Sequence, residues 1–144
     1  MLNLMSHIAL PVFVLSVLVL AVRHSLISPL PAVIACQLCG LGRMVWARVT
    51  FPKGSFSVTA KPAGQELIRV GPYRLVRHPM YAGALLLLWA SIAGHLAIVN
   101  VAIGIVATIA VAGKIIFEER LLRASYAGYA EYARSTKILV PLVF

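Results

Sequence analysis

Long apolar runs separated by clustered charge dominate the chain. From Leu4 to Val22, nineteen residues pass without a charge before Arg23 closes the run. A second apolar stretch covers 30–51, interrupted by Arg43 and Arg48. A third runs from Pro79 to Gly113, thirty-five residues without Lys, Arg, Asp or Glu. About twenty residues cross a bilayer core as a helix, so this run is too long for one span. Gly94, His95 and Asn100 mark a turn that divides it. Backbone polar groups in lipid must pair internally, which requires helices or a closed barrel, and the alternating ten-residue pattern of a barrel is absent. The pattern therefore predicts an all-α, polytopic membrane helical bundle with four transmembrane helices near 4–22, 30–51, 79–95 and 99–117. The Pro- and Gly-rich segment 52–78 reads as a loop. Residues 118–144 read as a C-terminal helix, continuing the fourth span to about Arg134, followed by a short tail. A single domain then covers 1–144.

Composition agrees with the pattern. Of 144 residues, 61% are hydrophobic and 12% charged, against about a quarter charged in soluble domains. The mean hydropathy of +0.94 excludes a disordered basic tail, whose signature is low hydrophobicity. Thirteen Lys or Arg face four Asp or Glu, a net +9. These charges sit between apolar runs, so they point to a membrane surface and not to nucleic acid. Four spans place eleven of the thirteen basic residues on one side, with Arg23 opposite and Arg43 inside the second span. By the positive-inside rule that side is cytoplasmic and holds both termini. The expected location is a prokaryotic inner (cytoplasmic) membrane. The first run lacks a basic leader and a small-residue cleavage site, and reads as an uncleaved span.

Two polar clusters exceed what an anchor needs. The segment 69–83 packs Arg69, Arg74, Arg77, His78, two tyrosines, three prolines or glycines and Gly83 against the start of the third span. Pro79 suits the first helical turn, and His78 then stands at the helix start, where unsatisfied backbone donors favour an anion. The matching feature is Glu118-Glu119-Arg120 just past the fourth span. Adjacent helical positions do not share a face, so the carboxylates have different partners; Glu119 reaches Arg123 at i+4, and Glu118 is the freer to face the bundle. A hairpin of spans three and four brings both clusters to one depth. Such a pocket offers Arg and His to a carboxylate, Glu to an ammonium and tyrosine rings to a cation. S-adenosylmethionine fits that inventory, although composition does not select it.

The motifs GPYRLVRHPMYAG at 71–83 and EE-x-x-L at 118–122 resemble the membrane methyltransferase superfamily of isoprenylcysteine carboxyl methyltransferases and phospholipid N-methyltransferases. Tyr129, Tyr132 and Pro141 are similar to its distal Y-x-x-Y and terminal proline, and Arg43 to Ala47 to its arginine–tryptophan stretch. The resemblance covers about 40–141 and looks like the small prokaryotic form. One departure is Tyr126-Ala127, where relatives often carry Phe-Gly. The resemblance implies an S-adenosylmethionine pocket closed by the cytoplasmic loop and the C-terminal helix. It implies that Gly71, Pro72, Tyr73, Arg77, His78, Tyr81 and Gly83 form one cofactor-binding wall, and Glu118 and Glu119 the other. Glu119, Arg120 and Arg134 are the implied catalytic or acceptor-orienting residues. The implied reaction is methyl transfer to a small amphiphilic or lipidic acceptor, with isoprenylcysteine-like carboxyl O-methylation ahead of phospholipid N-methylation. A non-enzymatic membrane scaffold or lipid-binding protein is the alternative from another class, and a nicotinamide-dependent membrane reductase a third. Membrane lipids are expected partners.

Other polar residues read more plainly. Cys36 and Cys39 form C-x-x-C inside the second run with no second pair, and read as ordinary buried cysteines, so no metal site is expected. Arg43 reads as paired within the bundle, Trp46 and Phe51 as interfacial anchors, Trp89 as a packing residue, and Tyr126, Tyr129 and Tyr132 as core of the terminal helix.

Overall fold

In the computed structural model the described residues are 2–50 and 67–140, with side chains from Ile8 onward. They form five α-helices: α1 Leu2–Val22, α2 Pro31–Thr50, α3 Pro79–Gly94, α4 Ile98–Ser125 and α5 Tyr129–Ser135, with a 3-10 turn at Gly71–Arg74 before α3. The described residues contain no strand, only an isolated parallel bridge between Val76 and Lys137. Each of the four apolar runs is therefore helical over nearly all of its described residues. Most of the 52–78 loop, Phe51 and Pro141 lie outside the described residues.

Two helices, α2 with 20 residues and α4 with 28, are long and apolar enough to cross a membrane. α3, with 16 residues, and the Ile8–Val22 part of α1 are apolar but shorter. A 16-residue helix is about 24 Å long, less than the ~30 Å hydrocarbon core. The expected all-α architecture is thus present, while of the four expected spans two, α2 and α4, are helices of full span length and the other two are shorter apolar helices. The outward faces are oily: Leu15, Leu18, Val22, Leu38, Val49 and Ile109 are all more than half exposed. A water-soluble fold leaves few large apolar patches uncovered, so these faces accord with a lipid solvent.

The bundle consists of two tight pairs, α2 along α3 and α1 along α4, while α3 and α4 touch over a shorter stretch. The α2–α3 contact is set by glycine. A Cβ at Gly40 would lie 2.7 Å from the Gly83 carbonyl oxygen, and one at Gly83 would lie 2.5 Å from that of Gly40. Small residues allow backbones this approach in membrane helices. Leu20, Leu88, Ile92 and Ala107 form the buried core that joins the two pairs.

The end of the bundle away from the motifs is held by hydrogen bonds. Asn100, 2% exposed, accepts from Arg23 Nε at 2.9 Å and donates to Ser25 Oγ at 3.1 Å and to the His95 carbonyl at 2.8 Å. Gln37 Nε2 likewise donates to the Leu26 carbonyl and to Ser91 Oγ. Asn100 thus serves as a clamp between two connections, beyond marking a turn. Replacing it with Ala strands buried groups, each costing about 1–3 kcal/mol. Asn100→Ala is expected to lower the unfolding midpoint in detergent by that order while cofactor affinity in the surviving folded protein is unchanged.

Two expectations are corrected here. α4 does not run on to Arg134: it stops at Ser125, Tyr126 is extended, and α5 begins after Gly128. A continuous helix would carry Tyr129 about 15 Å along the axis from Glu119; the break folds it back into contact. The cysteines also differ, for Cys36 and Cys39 are exposed rather than buried, because α2 turns Val33, Gly40 and Ala47 inward instead.

Candidate active site

The motif segment reaches the site by a sequence of forced turns. Gly71 has φ +60°, a conformation that favours glycine, and a Cβ there would meet Thr50 Oγ1 at 2.7 Å. Pro72 and Tyr73 are buried in the 3-10 turn that follows. The chain then runs beside the tail: the Arg77 amide donates to the Lys137 carbonyl at 2.8 Å, and the His78 amide to that of Ile138 at 3.0 Å. Pro79 opens α3, where its missing N–H costs nothing, and His78 occupies the N-cap without a side-chain cap bond. Its ring is thereby free to face α4.

Glu119 is the hub. Its Oε1 accepts from Arg77 Nε at 2.8 Å, from Tyr129 Oη at 2.6 Å, and lies 3.0 Å from His78 Nε2. A carboxylate here only accepts, so Nε2 carries the hydrogen at that contact. Arg123, largely exposed, stands 3.7 Å from Oε2. The i+4 pair expected for Glu119 therefore exists but is its weakest contact, and Glu119 faces inward as fully as Glu118. Arg77 is itself gripped on the far side, donating to the carbonyls of Ala133 and Thr136 at 2.9 and 2.6 Å. One guanidinium thus ties α4 to α5 and the tail.

Glu118 faces a different set. Its Oε1 accepts from Tyr81 Oη at 2.7 Å and pairs with Lys114 Nζ at 3.2 Å, while Oε2 lies 3.6 Å from His78 Nδ1. His78 stands between the two carboxylates and stacks on Tyr81, with ring centroids 5.7 Å apart at 22°. Two carboxylates are balanced by two buried cations, Arg77 and Lys114. Among the described residues, every buried side-chain nitrogen or oxygen has a hydrogen-bond partner.

Tyrosines close the far side. Burial, then the hydrogen bond to Glu119, pushes the Tyr129 phenol above its usual range. Burial raises Tyr132 to about 12, with Arg77 opposing and Glu119 assisting. Tyr73 is raised by burial and by the neighbouring Tyr132 and Glu118. These phenols are donors at any physiological pH: Tyr132 Oη donates to the Tyr73 carbonyl at 2.7 Å. Arg69 lies over the Tyr132 ring at 5.6 Å and donates to the Gly128 carbonyl, which fixes the α4–α5 turn.

Of the residues singled out by sequence, Arg77, His78, Tyr81, Glu118 and Glu119 meet in one cluster. Tyr73 lies within electrostatic reach of Glu118. Gly71 and Pro72 shape the approach, and Gly83 meets Gly40 on the opposite face of α3. Arg120 and Arg134 are exposed and stand outside the network. Sequence reasoning missed Lys114, counted only as one more basic residue, although its position one helical turn before Glu118 was a usable i,i+4 signal. It also took Tyr129 for packing; nothing local links it to a glutamate ten residues earlier.

Apolar helices around a buried, charge-balanced cluster define a membrane-type helical protein with a built polar site. Within that class, the family model described as phospholipid methyltransferase matches residues 31–128. The chain belongs to the phospholipid methyltransferase family, within the superfamily of membrane methyltransferases that the two motifs resemble. No curated protein and no solved structure matches the chain. Family membership makes methyl transfer the activity and membrane association the setting.

Proposed function

We propose that the chain is an S-adenosylmethionine-dependent methyltransferase acting on an amphiphilic acceptor whose head is a carboxylate, as in isoprenylcysteine-like O-methylation. The observation that carries this reading is the convergence of His78, Tyr81 and Glu118 in one buried cluster. The donor set suits the cofactor: Glu118 would hold its amino group, and the stacked His78 and Tyr81 rings would contact the remainder, with Gly71, Pro72, Tyr73 and Arg77 shaping and bracing that wall. Bound there, the cofactor supplies an activated methyl group. The chain's own part is orientation and electrostatics. Glu119 holds His78 and Arg77 in place, and the tail strapped at 137–138 covers the site. A carboxylate acceptor is nucleophilic as it stands and needs no general base. Arg120 and Arg134, exposed, supply first contact with an anionic head.

A phospholipid amine is the second reading, favoured by the description of the matching family. It requires a group to take a proton from the amine, a role we assign to Glu119, whose Oε2 faces Arg123 at 3.7 Å. All four apolar helices span the membrane in this proposal, with the termini and the motif end cytoplasmic in a prokaryotic inner membrane. α4, at 28 residues and about 42 Å, then projects its last turns, Glu118 and Glu119 included, beyond the ~30 Å core.

The test is titration of purified protein with S-adenosylmethionine, then transfer of labelled methyl into fractionated lipids. Base-labile label identifies an ester; base-stable label identifies N-methylation. Charged hydrogen bonds contribute about 1.5–3 kcal/mol, so Glu118→Gln is expected to weaken cofactor binding about ten- to a hundredfold while Arg134→Ala leaves it unchanged. Absence of saturable cofactor binding by the wild type in several mild detergents defeats the proposal.

A further inference from the structure

α2 carries two donors that find no acceptor in the fold. Arg43, expected to pair within the bundle, is half-buried and has no hydrogen bond or ion pair among the described residues. Trp46, 49% exposed, likewise has no acceptor for its indole N–H among them. Residues three apart on a helix are neighbours, so the two donors share one flank of α2. That flank is not the one turned to the reaction cluster: Met44, about 100° round the helix from Arg43, lines the apolar cavity beside Tyr81. The described carboxylates lie elsewhere, Glu118 and Glu119 bonded in the cluster and Glu131 on α5. Arg43 stands seven residues before Thr50, where α2 ends, which is about 10 Å of helix. A charge at that depth in a spanning helix needs a partner, and here the chain does not supply it.

We infer that Arg43 and Trp46 form a binding site for the phosphodiester of one bilayer phospholipid, held as a resident lipid and not as the methyl acceptor. The guanidinium fork matches two phosphate oxygens, and the indole N–H adds a donor beside it. A Cβ at Gly71 would lie 3.5 Å from Trp46 Nε1, so the turn that opens the motif borders the indole. Trp46 therefore sits at the motif end of α2, at the headgroup level where tryptophan is favoured, with Arg43 one turn deeper. Beyond Arg43, toward the bilayer centre, the surface of α2 presents exposed Ala35, Cys36 and Cys39. A free phosphate would surrender its water to approach Arg43 across that apolar surface, whereas a phosphate that carries acyl chains lays them on it. The site is thereby suited to a lipid rather than to a free anion.

The test uses the full chain in maltoside micelles and native mass spectrometry, with didecanoyl phosphatidylcholine and didecanoylglycerol as probes. Phosphatidylcholine carries the phosphodiester without net charge, so the chain's +9 does not drive its binding. Its quaternary nitrogen cannot accept a methyl group. Wild type is expected to bind it about ten- to a hundredfold more tightly than the diacylglycerol, the effect of charge-assisted hydrogen bonds. Arg43→Gln is expected to remove that preference with diacylglycerol binding intact, and Trp46→Phe to reduce it. Arg74→Gln, which deletes an exposed cation in the 3-10 turn, is expected to keep it. S-adenosylmethionine affinity, measured in the same preparations, is expected to be equal in wild type and Arg43→Gln. Equal binding of the two probes by wild type, a preference that survives in Arg43→Gln or vanishes equally in Arg74→Gln, inorganic phosphate that displaces the phospholipid, or a cofactor affinity shifted by Arg43→Gln would overturn the inference. A wild type that selects the phospholipid but binds no cofactor upholds this site while the methyltransferase reading falls.

Discussion

Glu119→Ala is expected to destabilise the protein by about 3–5 kcal/mol, the cost of removing one partner of a buried ion pair. The side chains of Arg77 and Glu119 are 7% and 12% exposed, so little water is available to compensate. The alanine also leaves the Tyr129 hydroxyl and His78 Nε2 without their acceptor at the same point. Arg77 keeps its bonds to Ala133 and Thr136, which retains its geometry but not its charge balance. The loss should fall on the joint between α4 and α5, so cofactor binding is expected to disappear before the apolar helices unfold. Glu119→Gln keeps the shape and one acceptor oxygen, and its loss is expected to be smaller. Denaturant titration followed by tryptophan fluorescence, beside cofactor titration, separates the two effects. An alanine variant with the wild-type midpoint and affinity would show that the hub holds nothing.

How far the sequence led depends on the distance over which each feature is encoded. The four apolar helices were legible because lipid imposes a length and a composition on each segment alone. The pairing of Glu118 and Glu119 with His78 and Tyr81 followed from hairpin geometry, since α3 and α4 are adjacent in sequence and antiparallel. The division of labour between the two glutamates was not legible. It depends on Tyr129 and Thr136 folding back through the break at 126–128, and no local pattern states that a tyrosine in a short helix will reach a carboxylate in the previous one. Gly83 was read toward the ligand because it closes the motif, within the first turns of α3. The face of α3 it occupies was fixed by Gly40, forty-three positions earlier in the chain, which a one-dimensional reading cannot couple to it. Lys114 was the one residue missed despite a local signal.

That glycine pair leads to the second large effect. A Cβ at residue 83 would meet the Gly40 carbonyl oxygen at 2.5 Å and the Met44 side chain at 2.7 Å. The side chain can move aside, but the backbone oxygen belongs to a helix and cannot, so α2 and α3 must separate. Overpacking of this kind costs about 1–3 kcal/mol, and the upper end is expected where backbone is the obstacle. The functional loss is expected to be larger than the stability loss. His78 and Tyr81 ride on the first turns of α3, while Glu118 and Glu119 are fixed on α4, so a shift of α3 opens the cluster directly. A misplacement of 1 Å costs on the order of a hundredfold in rate. Gly83→Ala and Gly40→Ala are therefore each expected to reduce methyl transfer by about that factor, in protein that still folds and inserts. Gly42→Ala is the control, since a Cβ there meets nothing within 4 Å, and it should match the wild type in both stability and rate. If all three alanine variants behave alike, the close α2–α3 approach is not what sets the position of His78 and Tyr81.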